Sequence, residues 1–345
     1  VTQATAEGSA DERLARRDPL RRLLVRPEFG ALIGAVALFV LFSVTADAFL
    51  QTSSFSNVLY SASTFGIMAV GVSLLMIGGE FDLSAGVMVI SSALVASLVS
   101  FQLTLNVWAG VAISLVVTLA LGVLNGVLYV WTRLPSFIVT LATFLMLAGA
   151  NLGVTKAVTG NVASDSIGDM DGFQSAKGLF ASEVGIGGVN VKVTVFWWIG
   201  FTAVATWILL RTRAGNWIFA VGGNADSARA VGVPVARTKI ALFAGVAFCA
   251  WFSGMHLLFA FPAIQSGEGI GNEFFYIICA VIGGCLLTGG YGSAIGAAIG
   301  AFIYGMVNQG IVYAGWNPDW FRFFLGAALL AATVLNHVVR RRAER

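Results

Sequence analysis

Two carboxylates, Glu80 and Asp82, stand two residues apart in the run Gly78-Gly79-Glu80-Phe81-Asp82-Leu83-Ser84-Ala85-Gly86, with apolar sequence on both sides. A carboxylate in apolar surroundings needs a polar cavity, a partner or an interface. Two readings are open: the pair flanks a polar path, or it sits in a short turn where Asp82 or Ser84 caps the next helix. A second polar group, Gln265, Ser266, Glu268, Asn272 and Glu273, follows another long apolar run. It reads either as a solvated loop or as the entrance to a polar path. Nucleophilic and metal chemistry find no constellation. His256 and His337 lie far apart, Cys249, Cys279 and Cys285 sit in apolar stretches without ligand spacing, and no G-x-x-x-x-G-K-[ST] phosphate loop occurs, so any ATP dependence must come from a partner. His256 reads as a satisfied histidine inside an apolar helix rather than a proton relay.

The third group is richest in signals. In the stretch 211–239, the run from Asp226 to Ala230 predicts a short helix, started by Asn224 or Asp226 and stopped by Gly232 and Pro234. Small residues with both charge signs on one short helix suit docking against another protein.

These groups are positioned by apolar segments. The chain has 345 residues, 58% of them apolar, and only 11% charged, against about 25% in ordinary soluble domains. Mean hydropathy is +0.87. Most of the 20 basic and 17 acidic residues fall in 1–28, 211–239 and 340–345. Soluble enzymes, nucleic-acid binders and disordered chains are excluded. The expected class is an all-α polytopic membrane protein with about ten transmembrane helices, the range being eight to ten. The apolar segments run at 29–45, 57–77, 83–101, 106–130, 137–157, 194–210, 240–262, 274–288, 293–313 and 321–338, inside a transmembrane domain of 29–338.

Basic residues orient the segments. The N-terminal tail 1–28 carries six arginines, which would suit a short amphipathic helix on the membrane surface. Together with 131–136, 211–239 and the C-terminal tail 339–345, it holds all Lys and Arg except Lys156, Lys177, Lys192 and Arg322. The positive-inside rule then puts both termini in the cytosol and the acidic connection 158–193 outside. Gly-Gly pairs at 78–79 and 283–284 each follow an apolar helix and precede a Gly/Ala-rich one, a pattern that an internal repeat would leave.

Five stretches in order carry a resemblance: G-G-E-F-D-L-S-A-G at 78–86, T-R-L-P-S-F-I-V-T-L-A-T at 132–143, T-R-A-G-N-W-I-F-A-V-G-G-N-A-D-S-A-R-A-V-G-V at 212–233, I-G-G-C-L-L-T-G-G-Y-G at 282–292 and N-Q-G at 308–310. Over residues 28–338 the chain resembles the ribose-type permeases of bacterial ABC importers for monosaccharides. The resemblance implies a non-enzymatic permease in the bacterial cytoplasmic membrane, translocating a monosaccharide or related polyol. Implied partners are a second permease copy (homodimer or similar heterodimer), ABC ATPase subunits that bind ATP and Mg, an extracytoplasmic sugar-binding protein and the lipid bilayer; the chain itself binds no cofactor, metal or nucleic acid. Asn224, Asp226, Ala228, Arg229 and Gly232 match the family's segment that couples to the ATPase. Glu80, Asp82, Ser84, Thr140, Gln265, Glu273, Phe275, Asn308 and Gln309 are the residues this implies along the path. Where the family has Asp soon after Glu273, this chain has Phe275, and Val87 replaces the Ser that follows D-L-S-x-G; a less polar lining suits a substrate other than ribose. Alternatives are a permease for nucleosides or branched-chain amino acids, or, from another class, an ion-coupled secondary transporter using Glu80, Asp82 and Glu273 as relays.

Overall fold

The computed structural model describes the backbone of residues 27–344 and the side chains of residues 28–334. The tail as far as Arg26, with its expected surface helix, and the side chains of His337 and 339–345 lie outside the described residues. Each of the ten apolar segments falls on a helix. These are α1 (Pro27–Thr45), α2 (Thr52–Ile77), α3 (Ala85–Gln102), α4 (Val107–Thr132), α5 (Ser136–Thr159), α7 (Val193–Arg211), α10 (Val235–Ala260), α11 (Asn272–Ile282), α12 (Ala294–Tyr313) and α13 (Phe321–Glu344). Between them lie α6 (Phe173–Phe180), a hairpin of β1 (Glu183–Ile186) and β2 (Val189–Lys192), α8 (Arg213–Gly223) and α9 (Ala225–Ala230).

Among the described residues, eight of these helices are long and apolar enough to cross a bilayer: α1 to α5, α7, α10 and α12. The chain is an all-α polytopic membrane protein. The segment 274–288 is not a full span. Its helix, α11, has 11 residues, a rise of about 16 Å against a hydrocarbon core of about 30 Å, because Gly283 and Gly284 end it.

Burial sorts the helices into two shells. In α10 78% of the apolar window is buried, in α3 72%, in α2 67% and in α12 61%, but only 22% in α1 and α5. The four buried helices are apolar all round, as a core inside a membrane requires. They approach closely through small residues: a side chain on Gly305 of α12 would overlap the α2 backbone at Val58, and one on Gly122 of α4 would overlap Ala247 of α10. The outer helices carry the exposed apolar side chains, such as Val44, Leu145, Trp207 and Leu210.

The helices share two ends. One holds Ile77–Ser84, the α4–α5 turn and 211–235, with Arg133, Arg211, Arg213, Arg229, Arg237 and Lys239. The other holds α6, the hairpin, and the α10–α11 and α12–α13 connections. Residues 158–193, expected as a long connection, are thus partly ordered structure. The α6 face of Phe173, Ala176 and Phe180 is buried, with Phe180 stacked on Phe259 at 5.7 Å. Gly187 and Gly188, at φ +58° and +85°, turn the hairpin. Lys192, paired with Glu183 across it, holds that carboxyl below the usual carboxylate range. His256 is spoken for: Nδ1 lies 2.8 Å from the Phe180 carbonyl and Nε2 3.1 Å from the Tyr60 hydroxyl. The carbonyl can only accept, so Nδ1 carries the proton and Nε2 accepts from Tyr60.

Candidate functional site: a glycine junction and the breaks it joins

Helices α2 and α11 end in the same way. Gly79, at φ +85°, donates its N–H to Met76 O at 2.9 Å while Glu80 N donates to Leu75 O at 3.1 Å. Gly284, at φ +92°, donates to Val281 O at 2.9 Å while Cys285 N donates to Ala280 O at 3.0 Å. Both are Schellman ends, which need a left-handed residue after the last turn. The end of α2 then meets the loop that follows α11: Gly290 N donates to Ile77 O at 2.8 Å.

Gly222, in the last turn of α8, fits into that meeting point. A side chain there would overlap Ile77 O and lie 2.7 Å from Gly290 N, while one on Gly289 would lie 2.6 Å from the Gly79 Cα. Three glycine turns therefore touch backbone to backbone. The segment 211–239, foreseen as a loop with one short helix, contains two helices, and the unforeseen one reaches the end of α2 and the loop after α11. Thr212 accepts from Gly215 N at 3.2 Å to start α8. Asn224 accepts from Ser227 N at 2.9 Å to start α9. Ala228 is buried with Val221 and Val235, and Gly232, at φ +87°, turns the chain toward α10. Asp226 and Arg229 pair at 2.9 Å with both side chains largely exposed. Such a pair contributes little stability, so both charges stay available at the surface.

Behind the junction, Glu80 is buried and forms an ion pair with Lys239 near the start of α10. The Tyr129 hydroxyl of α4 donates to the same Glu80 oxygen at 2.5 Å and accepts from Lys239 Nζ at 2.9 Å. Asp82, 1% exposed, accepts through Oδ1 from Ser84 N at 2.8 Å and Ser84 Oγ at 2.6 Å. Asn125 of α4 donates to Ser84 Oγ at 2.9 Å. The link backbone is held from α5: Phe81 N donates to Ser136 Oγ and Leu83 N to Thr140 Oγ1, at 3.2 and 3.1 Å. Glu80, Asp82, Ser84 and Thr140 thus all tie down the buried link 78–84. It needs Lys239, Tyr129 and Asn125, which the sequence reading did not single out. The available signal was Lys239, the last charge before a charge-free helix and a natural counter-ion for a lone intramembrane carboxylate.

The polar group after α10 lies elsewhere. Residues 261–271 are not helical. They start at the hairpin end, where Ser164 N donates to Ile264 O at 2.9 Å, and descend until Gly269 touches Gly86 near the start of α3. The half-length helix α11 therefore begins inside the bundle, and non-helical backbone at such depth occurs only within protein or along a water-filled cavity. Glu273, buried in the first turn of α11, accepts from Gly271 N at 3.1 Å, at the helix end that favours negative charge. Gln265 is exposed on this segment. Phe275 forms an aromatic cluster with Phe65, Tyr304 and Phe321, at centroid distances of 6.1, 5.7 and 5.9 Å. Asn308 and Gln309 are half-buried nearby on α12, Asn308 accepting from Ser61 Oγ at 3.2 Å and Gln309 Nε2 at 3.0 Å. Val87, in contrast, is buried.

Comparison with known proteins adds an independent line. Residues 54–333 match the family described as branched-chain amino acid transport system / permease component. The chain is 29% identical over 307 residues to the ribose import permease protein of Escherichia coli K12, covering 88% of this chain and 92% of that one. It is 31% identical over 320 residues to a probable ABC transporter permease protein of the same organism, covering 92% of each. With the Escherichia coli K12 xylose transport system permease protein it shares 29% identity over 375 aligned positions, 91% of this chain and 93% of that one. No solved structure matches the chain.

Proposed function

The chain belongs to the family of branched-chain amino acid transport system permease components, and from that membership we propose that it is the membrane permease of an ABC importer for a monosaccharide or related polyol. Relatives named for ribose and xylose import favour this substrate class over nucleosides, branched-chain amino acids or an ion-coupled mechanism. The family is a transporter family and not an enzyme class, and its importers work with an ATPase and a substrate-binding protein. In our reading the ATP and Mg sit on that separate ATPase, the permease acts as a pair in the bacterial inner membrane, and the basic end with both termini faces the cytosol.

The observation that carries the reading is the glycine junction. Helix α8 touches the end of α2 and the Gly289-Gly290 turn of the loop after α11 within one backbone contact. In this reading α9, with Asn224, Asp226, Ala228, Arg229 and Gly232, docks on the ATPase. A displacement of α9 then passes through α8 to the end of α2 and to the 283–293 loop at once, and from there to the buried link 78–84 and, along the chain, to the half-helix α11. Linkage requires only that two ATPase states contact α9 differently. The path itself runs past Gln265, Glu273, Phe275, Asn308 and Gln309, with Glu80, Asp82, Ser84 and Thr140 holding its inner end.

Reversing the charge of α9 tests this. Asp226→Lys removes the Arg229 pair and sets two cations one turn apart on an exposed helix, which changes fold stability by no more than about 0.5 kcal/mol. ATP-dependent monosaccharide uptake by reconstituted permease, ATPase and binding protein is expected to fall at least tenfold, with the variant still inserted and paired (Asp226→Lys breaks docking at about 1.4 kcal/mol per tenfold). Normal uptake by this variant would remove α9 from the coupling path.

A further inference from the structure

Helices α7 and α10 diverge over the face of α2 and leave a cavity of about 540 Å3. Its floor is Gly71 and Leu74 of α2, and its walls are Phe201 and Val204 of α7 and Gly245 and Phe248 of α10. Trp217 and Ile218 of α8 close it at the basic end, where Arg237 and Thr238 of α10 supply its polar rim. Val204 is 57% exposed and Phe248 41%, so the cavity opens sideways onto the apolar surface that the outer helices present to the bilayer. What stands beside such an opening is acyl chain.

The rim specifies more. Arg237 lies in the first turn of α10, at a helix end whose dipole disfavours cations. Among the described residues it has neither an ion pair nor a side-chain hydrogen bond, whereas Arg229 pairs with Asp226 and Lys239 with Glu80. Arg211 and Arg213 flank the α7–α8 corner beside Ala214, another lining residue, and add charge of the same sign. An anion at this rim would offset both the unpaired guanidinium and the helix end. Basic pockets between membrane helices at headgroup level hold anionic lipid headgroups. We propose that this cavity is a binding site for an anionic phospholipid, one acyl chain lying between α7 and α10 and the phosphate held by Arg237.

The site requires only that the helices span a bilayer, and it does not depend on the transported substrate. Its occupant would rest on Trp217 and Ile218, and so brace the helix whose Gly222 packs against the end of α2. Bound lipid stabilises the folded permease by mass action.

Titration of delipidated permease with phosphatidylglycerol or with phosphatidylcholine of the same chains, read by native mass spectrometry, tests the proposal. We expect phosphatidylglycerol to bind about five- to tenfold more tightly, and Arg237→Gln to abolish that preference. Gly245→Leu fills the cavity: a side chain at Gly245 meets nothing within 4 Å, and leucine is the better helix former. It should remove the tight binding of both lipids. Ala241→Phe, on the same wall, is the second filling variant should Gly245→Leu not fold. Retention of the preference by Arg237→Gln, or unchanged binding in a folded filling variant, would overturn the proposal. So would efficient disulfide cross-linking between Val204→Cys residues of two copies, which would make this face a protein interface.

Discussion

Lys239→Met is expected to destabilise the purified permease by about 3–5 kcal/mol, the usual cost of leaving one member of a buried ion pair behind. Both partners are nearly inaccessible, and Glu80 shares its paired oxygen with the Tyr129 hydroxyl alone once the ammonium is gone. The link 78–84 would lose its tie to α10 while keeping a buried carboxylate. Glu80→Gln combined with Lys239→Met removes both charges and leaves an amide that still accepts from Tyr129. The double variant should therefore recover most of the loss, as replacements of whole buried pairs do. Tyr129→Phe removes hydrogen bonds to both members of the pair but no charge, and should cost about 1–3 kcal/mol. Thermal midpoints of the four proteins in one detergent check the order. A Lys239→Met midpoint equal to that of the parent would mean that Glu80 is not held by Lys239 in the folded protein.

The second large effect concerns two adjacent glycines with opposite expectations. Any side chain on Gly222 overlaps the Ile77 carbonyl, whereas one on Gly223 meets nothing within 4 Å. Backbone atoms cannot step aside as side-chain ends can. Gly222→Val must therefore push α8 off the end of α2 and off the Gly289-Gly290 turn, and break the Gly290-to-Ile77 hydrogen bond. Overpacking usually costs about 1–3 kcal/mol; with backbone on both sides we expect the upper end of that range and loss of uptake. Gly223→Ala should stay within about 0.5 kcal/mol of the parent and keep transport. Limited proteolysis in the 211–234 stretch reads the displacement directly. Cleavage should accelerate in Gly222→Val and not in Gly223→Ala. Equal rates would show that the junction does not hold α8 in place.

Two features separate what was legible in the sequence from what was not. Membrane class followed from composition, and nine of the ten apolar segments lie on long helices, the tenth only in part, because burial in lipid demands long apolar runs whatever their neighbours. The short helix Ala225–Ala230 was legible for a similar reason: a cap at Asn224 and a left-handed glycine at 232 are local devices. Helix α8 was missed because Gly215, Gly222 and Gly223 argue against a helix locally, and its stability comes from what Gly222 allows it to touch. The length of α11 was half legible: Gly283-Gly284 marks its end, but its beginning inside the bundle depends on Gly269 reaching Gly86.

The candidate site divides along the same line. Glu80 and Asp82 were conspicuous by type, since carboxylates in apolar sequence need an explanation. Their partners were not, because Lys239 lies 159 residues from Glu80 along the chain, and Asn125, which holds the Ser84 that Asp82 accepts from, lies 41 residues from Ser84. Likewise, Ile77, Gly222 and Gly290 carry no mark of their contact. By itself the sequence determined the class of the protein, its apolar segments and the places where helices must break, because these depend on solvent and on backbone preferences within a few residues. Only the tertiary structure decided which breaks meet, which charge answers Glu80 and where a cavity opens. Those depend on the close packing of backbones far apart in sequence, which one-dimensional periodicity does not encode.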